Sequence, residues 1–217
     1  MERGRRLQII TIIVLTICVI GLSIGFAAFS NVLNIKPNAT VSPGSNSFNV
    51  DFSSKEDEVV ISEITPIVSP TNLTASKAVI DNTGAPTISN LNATFTKPGQ
   101  SVTYEFYAYN DGELDAFLKS IIYSNVTGES SNKVCTAAVG TTDSLVQSAC
   151  TGISVKVKVG NESSTIGSVA SINNHSLVKK TGEKIIVTIE YAENAQVTDG
   201  DFSVSFGDIA LNYSSVD

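Results

Sequence analysis

Residues 91 to 123 read LNATFTKPGQSVTYEFYAYNDGELDAFLKSIIY, and they contain two strand patterns together with their turns. From Val102 to Tyr109, Val, Tyr, Phe and Ala alternate with Thr, Glu and two further Tyr residues. A period of two is typical of a strand with one buried and one solvated face, whereas a helix would mix the two faces. Turn residues flank this strand, with Lys97-Pro98-Gly99 before it and Asn110-Asp111-Gly112 after it. A second strand is therefore predicted to begin at Phe117.

The same alternation recurs along most of the chain, at the spacing of hairpins. Eight to ten strands, with no amphipathic helix after residue 28, predict an all-β fold, namely an antiparallel β-sandwich of the jelly-roll type. Long polar loops are expected at 124–152 and 160–176. The further predicted strands lie around 48–52, 59–68, 78–81, 91–95, 153–159, 185–191, 202–206 and 209–213.

The N-terminus has the pattern of an export signal. Basic residues come first, and an apolar run of roughly 20 residues follows from Leu7 to Phe26, long enough to cross a bilayer as a helix. Gly25 and Ala27 are the small residues that signal peptidase requires, which predicts cleavage between Ala27 and Ala28. The alternative is an uncleaved membrane anchor. The predicted organisation is a signal peptide or anchor at 1–27, an N-terminal strand or linker at 28–46, and the β-sandwich at 47–217.

The charge distribution restricts the classes of partner. The formal net charge of the 217-residue chain is −7, and all three arginines precede the apolar run. Removal of residues 1–27 takes away these three cations and one glutamate, so the remaining chain has a net charge of −9 and no arginine. Binding to nucleic acid or to an anionic lipid surface is disfavoured, since both require clustered cations.

Two short patterns carry a resemblance to a known family. The KPG turn, the aromatic strand and the residues Asn110, Gly112, Asp115, Ala116 and Leu118 resemble the TasA/camelysin family of secreted bacterial fibre proteins. The run GFAAFS at 25–30 is similar to the junction that follows the apolar run in that family. The resemblance covers about a fifth of the chain.

This resemblance implies a secreted structural subunit of an extracellular fibre or biofilm matrix. The subunits would assemble head to tail by donor-strand exchange, in which the segment after the cleavage site, about Ala28 to Val41, pairs with a sheet edge of the next copy. The expected partners are other copies of the chain, signal peptidase, and the membrane before processing, with the N-terminus in the cytoplasm. The alternative function is a membrane-tethered surface binding module, an adhesin or glycan binder. The side chains expected to contact the acceptor are Phe29, Val32, Leu33 and Ile35.

The cysteines and the single histidine bear on covalent and catalytic chemistry. Cys135 and Cys150 lie beyond the apolar run, in an oxidising environment, so a disulfide between them is predicted. A zinc site would need further soft ligands, which His175 alone does not supply. His175 lies in a predicted loop, and the chain has neither an HExxH motif nor a GxSxG elbow, so no enzymatic activity is expected.

Three further features have both a functional and a structural interpretation. The runs Asp199-Gly200-Asp201 and Glu56-Asp57-Glu58 could supply oxygen ligands to Ca²⁺, although acidic turns are common; no other cofactor is expected. Tyr107 and Tyr109 could stack on a carbohydrate or serve as cross-strand partners. Seven N-x-S/T sequons would be surface glycosylation sites in a host that uses them. They are Asn38, Asn72, Asn92, Asn125, Asn161, Asn174 and Asn212.

Overall fold

The structure is a computed structural model, and it describes residues 49–70, 73–160, 162–165 and 171–215. All of these lie in the unit Pro43–Asp217 of the two into which the chain divides. The predicted N-terminal helix, the cleavage site at Ala27 and Ala28, and the donor residues Phe29, Val32, Leu33 and Ile35 lie outside the described residues. Among those described, no helix is long and apolar enough to span a membrane.

The described part is all-β with antiparallel sheets, which confirms the predicted fold class at that level. It contains fifteen strands and one short helix. In chain order they are β1 (Val50–Ser53), β2 (Ile67–Ser69), β3 (Thr74–Ala75), β4 (Val79–Asp81), β5 (Thr87–Ser89), β6 (Asn92–Phe95), β7 (Ser101–Asn110), β8 (Ala116–Tyr123), β9 (Lys133–Ala137), α1 (Asp143–Cys150), β10 (Ile153–Val159), β11 (Glu162–Thr165), β12 (Ser171–Leu177), β13 (Gly182–Tyr191), β14 (Phe202–Phe206) and β15 (Ile209–Ser214).

The strands form three sheets. The first sheet has the order β1-β7-β13-β10-β11, and β2 shares the edge of β7 with β1. The second sheet has the order β3-β6-β14-β9, and the third has β12-β8-β15-β5-β4. Every pairing between these strands is antiparallel.

One core joins the three sheets. On β7 the alternation predicted from sequence is present, because its even-numbered residues are buried and its odd-numbered residues are only partly buried. The aromatic rings of Phe95 in the second sheet and Tyr191 in the first are 5.8 Å apart, and Phe202 packs against both. The first sheet therefore lies against the second across apolar side chains, whose burial is the main favourable contribution to folding.

Two continuous stretches of chain connect the second sheet with the third. Strand β5 passes into β6 through Asn90, which has a positive φ of 60°, and β14 passes into β15 through Gly207. Backbone hydrogen bonds continue across this junction, from Phe206 N to Leu91 O at 3.0 Å and from Ser124 N to Asp208 O at 2.9 Å. Polar backbone groups therefore remain paired where the chain passes from one sheet to the next.

Two segments predicted as loops contain regular structure. The expectation of no helix after residue 28 is wrong, because α1 lies within the predicted loop 124–152. Its two buried residues, Val146 and Ala149, are three positions apart, and this one-turn repeat is too short to stand out among Ser and Thr. The loop predicted at 160–176 contains β11 and most of β12, which are edge strands and need no apolar alternation, since neighbouring backbones supply their hydrogen bonds.

Candidate functional site

The domain has one flank made of very short strands. Strands β1, β2, β3 and β4 have four residues or fewer, and each lies at an edge of its sheet. The Asn82 side chain joins two of these edges, because it accepts a hydrogen bond from Phe52 N and donates one to Phe52 O, both at 2.9 Å. A side-chain amide thus takes the place that a neighbouring strand would have. We call β1 to β4 the short-strand flank.

Large apolar side chains are exposed along the short-strand flank. Ile61 is 62% exposed, and Ile67 and Val79 are 57% and 41% exposed. The opposite edges of the first and third sheets end in the four-residue β11 and the seven-residue β12, and α1 packs against β9. Very short edge strands are one device by which natural sheets limit pairing with other chains. The exposed apolar side chains are therefore the feature of the short-strand flank that favours contact with another surface.

Next to this flank, strand β15 is covered on one side along only part of its length. Strand β5 pairs with Ile209 and Ala210 and then ends, because the preceding residue is Pro86, which has no backbone N–H. On its other side β15 pairs with β8 throughout. Within the described part of the chain, Leu211 to Tyr213 therefore have a strand neighbour on one side only. We call these three residues the open half-edge.

A groove lies beside the open half-edge. Its volume is 180 Å³, enough to receive a large apolar side chain. Its walls come from the first described residues, from the turn before β5 and from β15. The lining residues are Asn49, Val50, Gly84, Ala85, Pro86, Leu211, Asn212 and Tyr213.

Tyr213, one of the residues that line this groove, has a polar atom without a partner. Its hydroxyl oxygen is buried, and no hydrogen-bond partner for it exists among the described residues. Burial raises the pKa of Tyr213 well above the ordinary value of a phenol, and the nearby negative charge of Glu183 raises it further. A buried hydroxyl without a partner lowers stability, because it has lost its hydrogen bonds to water.

His175 lies in a strand and not in a solvated loop, so that expectation is wrong. It is in β12, and both it and Tyr213 pair with Leu118 of β8 from opposite sides. Its Nε2 lies 2.6 Å from Oε2 of Glu183, and the two side chains are only 15% and 22% exposed. A Cβ on Gly160 would come within 2.3 Å of Glu183 Oε1, so the glycine leaves room for the pair. The contact joins the third sheet to the first.

The predicted pairing of Cys135 with Cys150 is present as a disulfide, with the two Cα atoms 6.0 Å apart. It fastens the last residue of α1 to β9. Lys133, two residues before Cys135, makes a second link, because its Nζ donates to Cys150 O at 2.7 Å and to Ile153 O at 2.6 Å. Burial lowers the pKa of Lys133. A cation at the C-terminal carbonyls of a helix is favourable, since the helix dipole is negative there.

We expect Lys133→Met to lower the free energy of unfolding by about 1.5 kcal/mol, because methionine keeps the aliphatic stem but leaves two carbonyl oxygens without their charged donor. Urea denaturation measures the change. Lys158→Met is the matched control, since Lys158 is an exposed lysine on β10. A control loss as large as that of Lys133→Met would contradict this role.

The acidic run at 199–201 contacts the N-terminus of α1. The Asp199 carboxylate accepts hydrogen bonds from Thr142 N at 2.9 Å and from Thr142 Oγ1 at 2.5 Å, and Thr142 is the residue that precedes α1. These bonds lower the pKa of Asp199. No group of three potential metal-ligating His, Cys, Asp or Glu side chains occurs among the described residues. Asp199 therefore acts as an N-terminal cap supplied from another loop.

We expect Asp199→Ala to destabilise the domain near neutral pH and to have progressively less effect in acid. Because the folded pKa of Asp199 is depressed, its contribution is fully present above the ordinary carboxyl value and is lost as pH falls through the folded pKa. Urea midpoints of the parent and the variant, compared at pH 6 and pH 2, measure this. A difference that stays constant between the two pH values would contradict the capping role.

The second acidic run, Glu56 to Glu58, forms part of a cleft on the outer face of the first sheet. The cleft has a volume of 450 Å³ and is lined by Ser54 to Glu58 and by Tyr107. Glu58 is paired with Lys55 at 2.6 Å, whereas Glu56 and Asp57 have no ion-pair partner among the described residues. Tyr107 and Tyr109 are both half-buried on this face, as cross-strand neighbours of β1 and β13.

The described sequons differ in accessibility. Asn125 and Asn212 are exposed. Asn92 is part of β6, where its Nδ2 donates to Asn90 Oδ1 at 2.7 Å. Asn174 falls in β12, and Asn38, Asn72 and Asn161 lie outside the described residues.

In comparisons with known proteins, no family model, curated protein or solved structure matches the chain. The candidate site thus rests on the geometry of the chain itself. Sequence reasoning identified the disulfide but not the open half-edge, Tyr213 or the Lys133 contacts. The signal for the half-edge was Pro86, which interrupts backbone pairing just ahead of a short apolar segment.

Proposed function

We propose that this protein is a secreted structural subunit of an extracellular fibre or matrix, with no chemistry performed on a substrate. The observation that carries the proposal is the exposure of the large apolar side chains Ile61, Ile67 and Val79 along the short-strand flank. Such side chains become buried, and unpaired backbone groups of the sheet edge gain hydrogen bonds, when another strand is added. The acidic charge and the resemblance to TasA-like proteins agree with this role.

A fibre subunit of this kind also requires a particular architecture and processing of its N-terminus. We infer that the three sheets form two layers of a jelly roll, since β5–β6 and β14–β15 each run through a bend from one sheet into the next. Signal peptidase would cut between Ala27 and Ala28, and the new N-terminal segment would pair with a neighbouring subunit. Such a contact is head to tail and does not close, so it produces filaments.

Deletion of Ala28 to Ile35 tests the proposal. The variant should be secreted as folded monomers and should form no fibres by electron microscopy, because the donor segment is gone while the domain is intact. Circular dichroism and urea denaturation establish that the monomer is folded. Fibres of unchanged yield from the deletion variant would rule out donor-strand assembly.

A second candidate is a membrane-tethered binding module for a saccharide. The cleft at Tyr107 favours it, because an aromatic ring beside carboxylates can stack on a sugar and accept hydrogen bonds from its hydroxyls. Mass spectrometry of the native protein separates the two candidates. A chain that begins at Ala28 supports the fibre, and one that begins at Met1 supports the tether.

A further inference from the structure

We propose that Asn125 is a site of N-linked glycosylation, at which the exported chain receives an oligosaccharide from a lipid-linked donor. The proposal does not depend on the proposed function. Seven of the 17 asparagines begin an N-x-S/T sequon, whereas the Asn, Ser and Thr content of the chain predicts about four. Among the described sequons, the one at Asn125 is the only one outside a strand.

Asn125 lies in the loop 124–132, which connects β8 with β9. The turn Val126–Glu129 in this loop is closed by a backbone hydrogen bond of 2.9 Å. Gly128 is the third residue of the turn and has a φ of 83°, as a type II turn requires there. The side chains of Asn125 and Thr127 are exposed, and neither has a hydrogen-bond partner among the described residues. The amide and the hydroxyl of the sequon are therefore accessible to an enzyme.

The base of the loop is held by backbone contacts. A Cβ on Gly207 would come within 2.7 Å of Asn125 C, and Gly207 N donates a hydrogen bond to Asn132 O at 3.0 Å. Val126 N donates to Ser131 O at 2.8 Å. These contacts fix the backbone beside an exposed acceptor side chain. A transferase that binds this loop therefore has less conformational entropy to remove than with an unstructured segment.

The other described sequons are held in sheets. Asn92 is in β6, which has β3 on one side and β14 on the other, and its side-chain amide already donates a hydrogen bond. Asn212 is exposed, but it pairs with Ser120 of β8 and is followed by Tyr213, whose hydroxyl is buried. Asn174 is in β12, which pairs with β8. Binding of these segments to a transferase would require local unfolding of a sheet, which lowers their reactivity in the folded domain.

The transfer reaction balances with a lipid-linked oligosaccharide as the second substrate. Nδ2 of Asn125 forms a bond to C1 of the first sugar, and the bond from C1 to a phosphate oxygen of the lipid carrier breaks. The phosphate leaves with that electron pair and takes up the proton that the amide loses. The enzyme recognises the sequon by the hydroxyl of its third residue, which is Thr127 here.

Peptide mass spectrometry of the secreted protein, purified from the cells that produce it, tests the site. Asn92, Asn125 and Asn212 lie on three different tryptic peptides, so that each is measured separately. An amidase that removes N-linked glycans in heavy-oxygen water converts each modified asparagine into labelled aspartate. We expect the occupancy at Asn125 to be about ten-fold higher, or more, than at Asn92 or Asn212, because only Asn125 is accessible without local unfolding.

Thr127→Ala and Thr127→Ser form a matched pair, because both keep Asn125 and both alter an exposed residue of the turn. The alanine variant lacks the sequon hydroxyl and should lose the glycan at Asn125, whereas the serine variant should keep it. Circular dichroism establishes that both variants are folded. An unmodified Asn125 in the secreted parent would overturn the proposal. Equal occupancy at Asn92, or a glycan that persists at Asn125 in Thr127→Ala, would overturn it as well.

Discussion

Replacing Cys135 and Cys150 together by alanine is expected to lower the free energy of unfolding by about 3 kcal/mol. A disulfide restrains the unfolded chain, and a closed loop of about 15 residues corresponds to this value in the chain-entropy model. The loop contains α1, which has eight residues and would be marginal alone. Without the bridge, the contact of α1 with β9 would depend on Lys133 and on the buried side chains Val146 and Ala149.

Urea denaturation of the parent and the double variant, each with and without a reducing agent, measures the effect. The reductant should lower the midpoint of the parent to that of the double variant and should leave the double variant unchanged. If reduction leaves the parent midpoint where it was, the bridge contributes little and the helix is held by its other contacts.

The strands that sequence predicts best are those with unequal faces. Apolar and polar residues alternate from Val102 to Ala108 because one side of β7 faces the core and the other faces solvent. This difference between the two faces gives the sequence its period of two. The disulfide was also predictable, because two cysteines that follow a predicted export signal are expected to be oxidised and to pair. Both predictions depend on local sequence or on composition, so one chain is enough to make them.

The features that sequence misses depend on contacts between distant segments. The sequence around Lys133 does not distinguish it from any other lysine in a strand. Its two carbonyl partners belong to α1 and β10 and are near it only in the folded chain. In the sequence, Asp199 has the features of a calcium-binding or turn residue. Its contact with Thr142 is evident only in the folded structure. Polar segments such as β12 form strands because β8 offers a partner, and nothing in their own composition requires it.

The open half-edge shows the same limit. Tyr213 continues the alternation of β15 and therefore reads as an ordinary core residue, although its hydroxyl is buried without a partner in the described structure. The absence of a second strand beside Leu211 follows from where Pro86 lies once β5 and β15 have paired. Only the register between two segments more than a hundred residues apart reveals it.

Gly207→Ala is expected to lower the free energy of unfolding by about 3 kcal/mol, because the junction between β14 and β15 has no room for a side chain. A Cβ at this position would lie 2.0 Å from Ser124 O and 2.7 Å from Asn125 C, which are both backbone atoms. Side chains can rotate away from a clash, whereas these atoms are held by the hydrogen bond from Ser124 N to Asp208 O. The strands must therefore separate, and the bend between the second and third sheets would weaken.

Gly84→Ala is the matched control, because a Cβ on Gly84 meets nothing within 4 Å. Its stability should stay within about 0.5 kcal/mol of the parent, as is usual for an exposed substitution. Urea denaturation followed by circular dichroism measures both variants. Equal stability of Gly207→Ala and Gly84→Ala would mean that the chain segments at the bend lie farther apart than described. The continuous passage of β14 into β15, on which the position of the open half-edge depends, would then need revision.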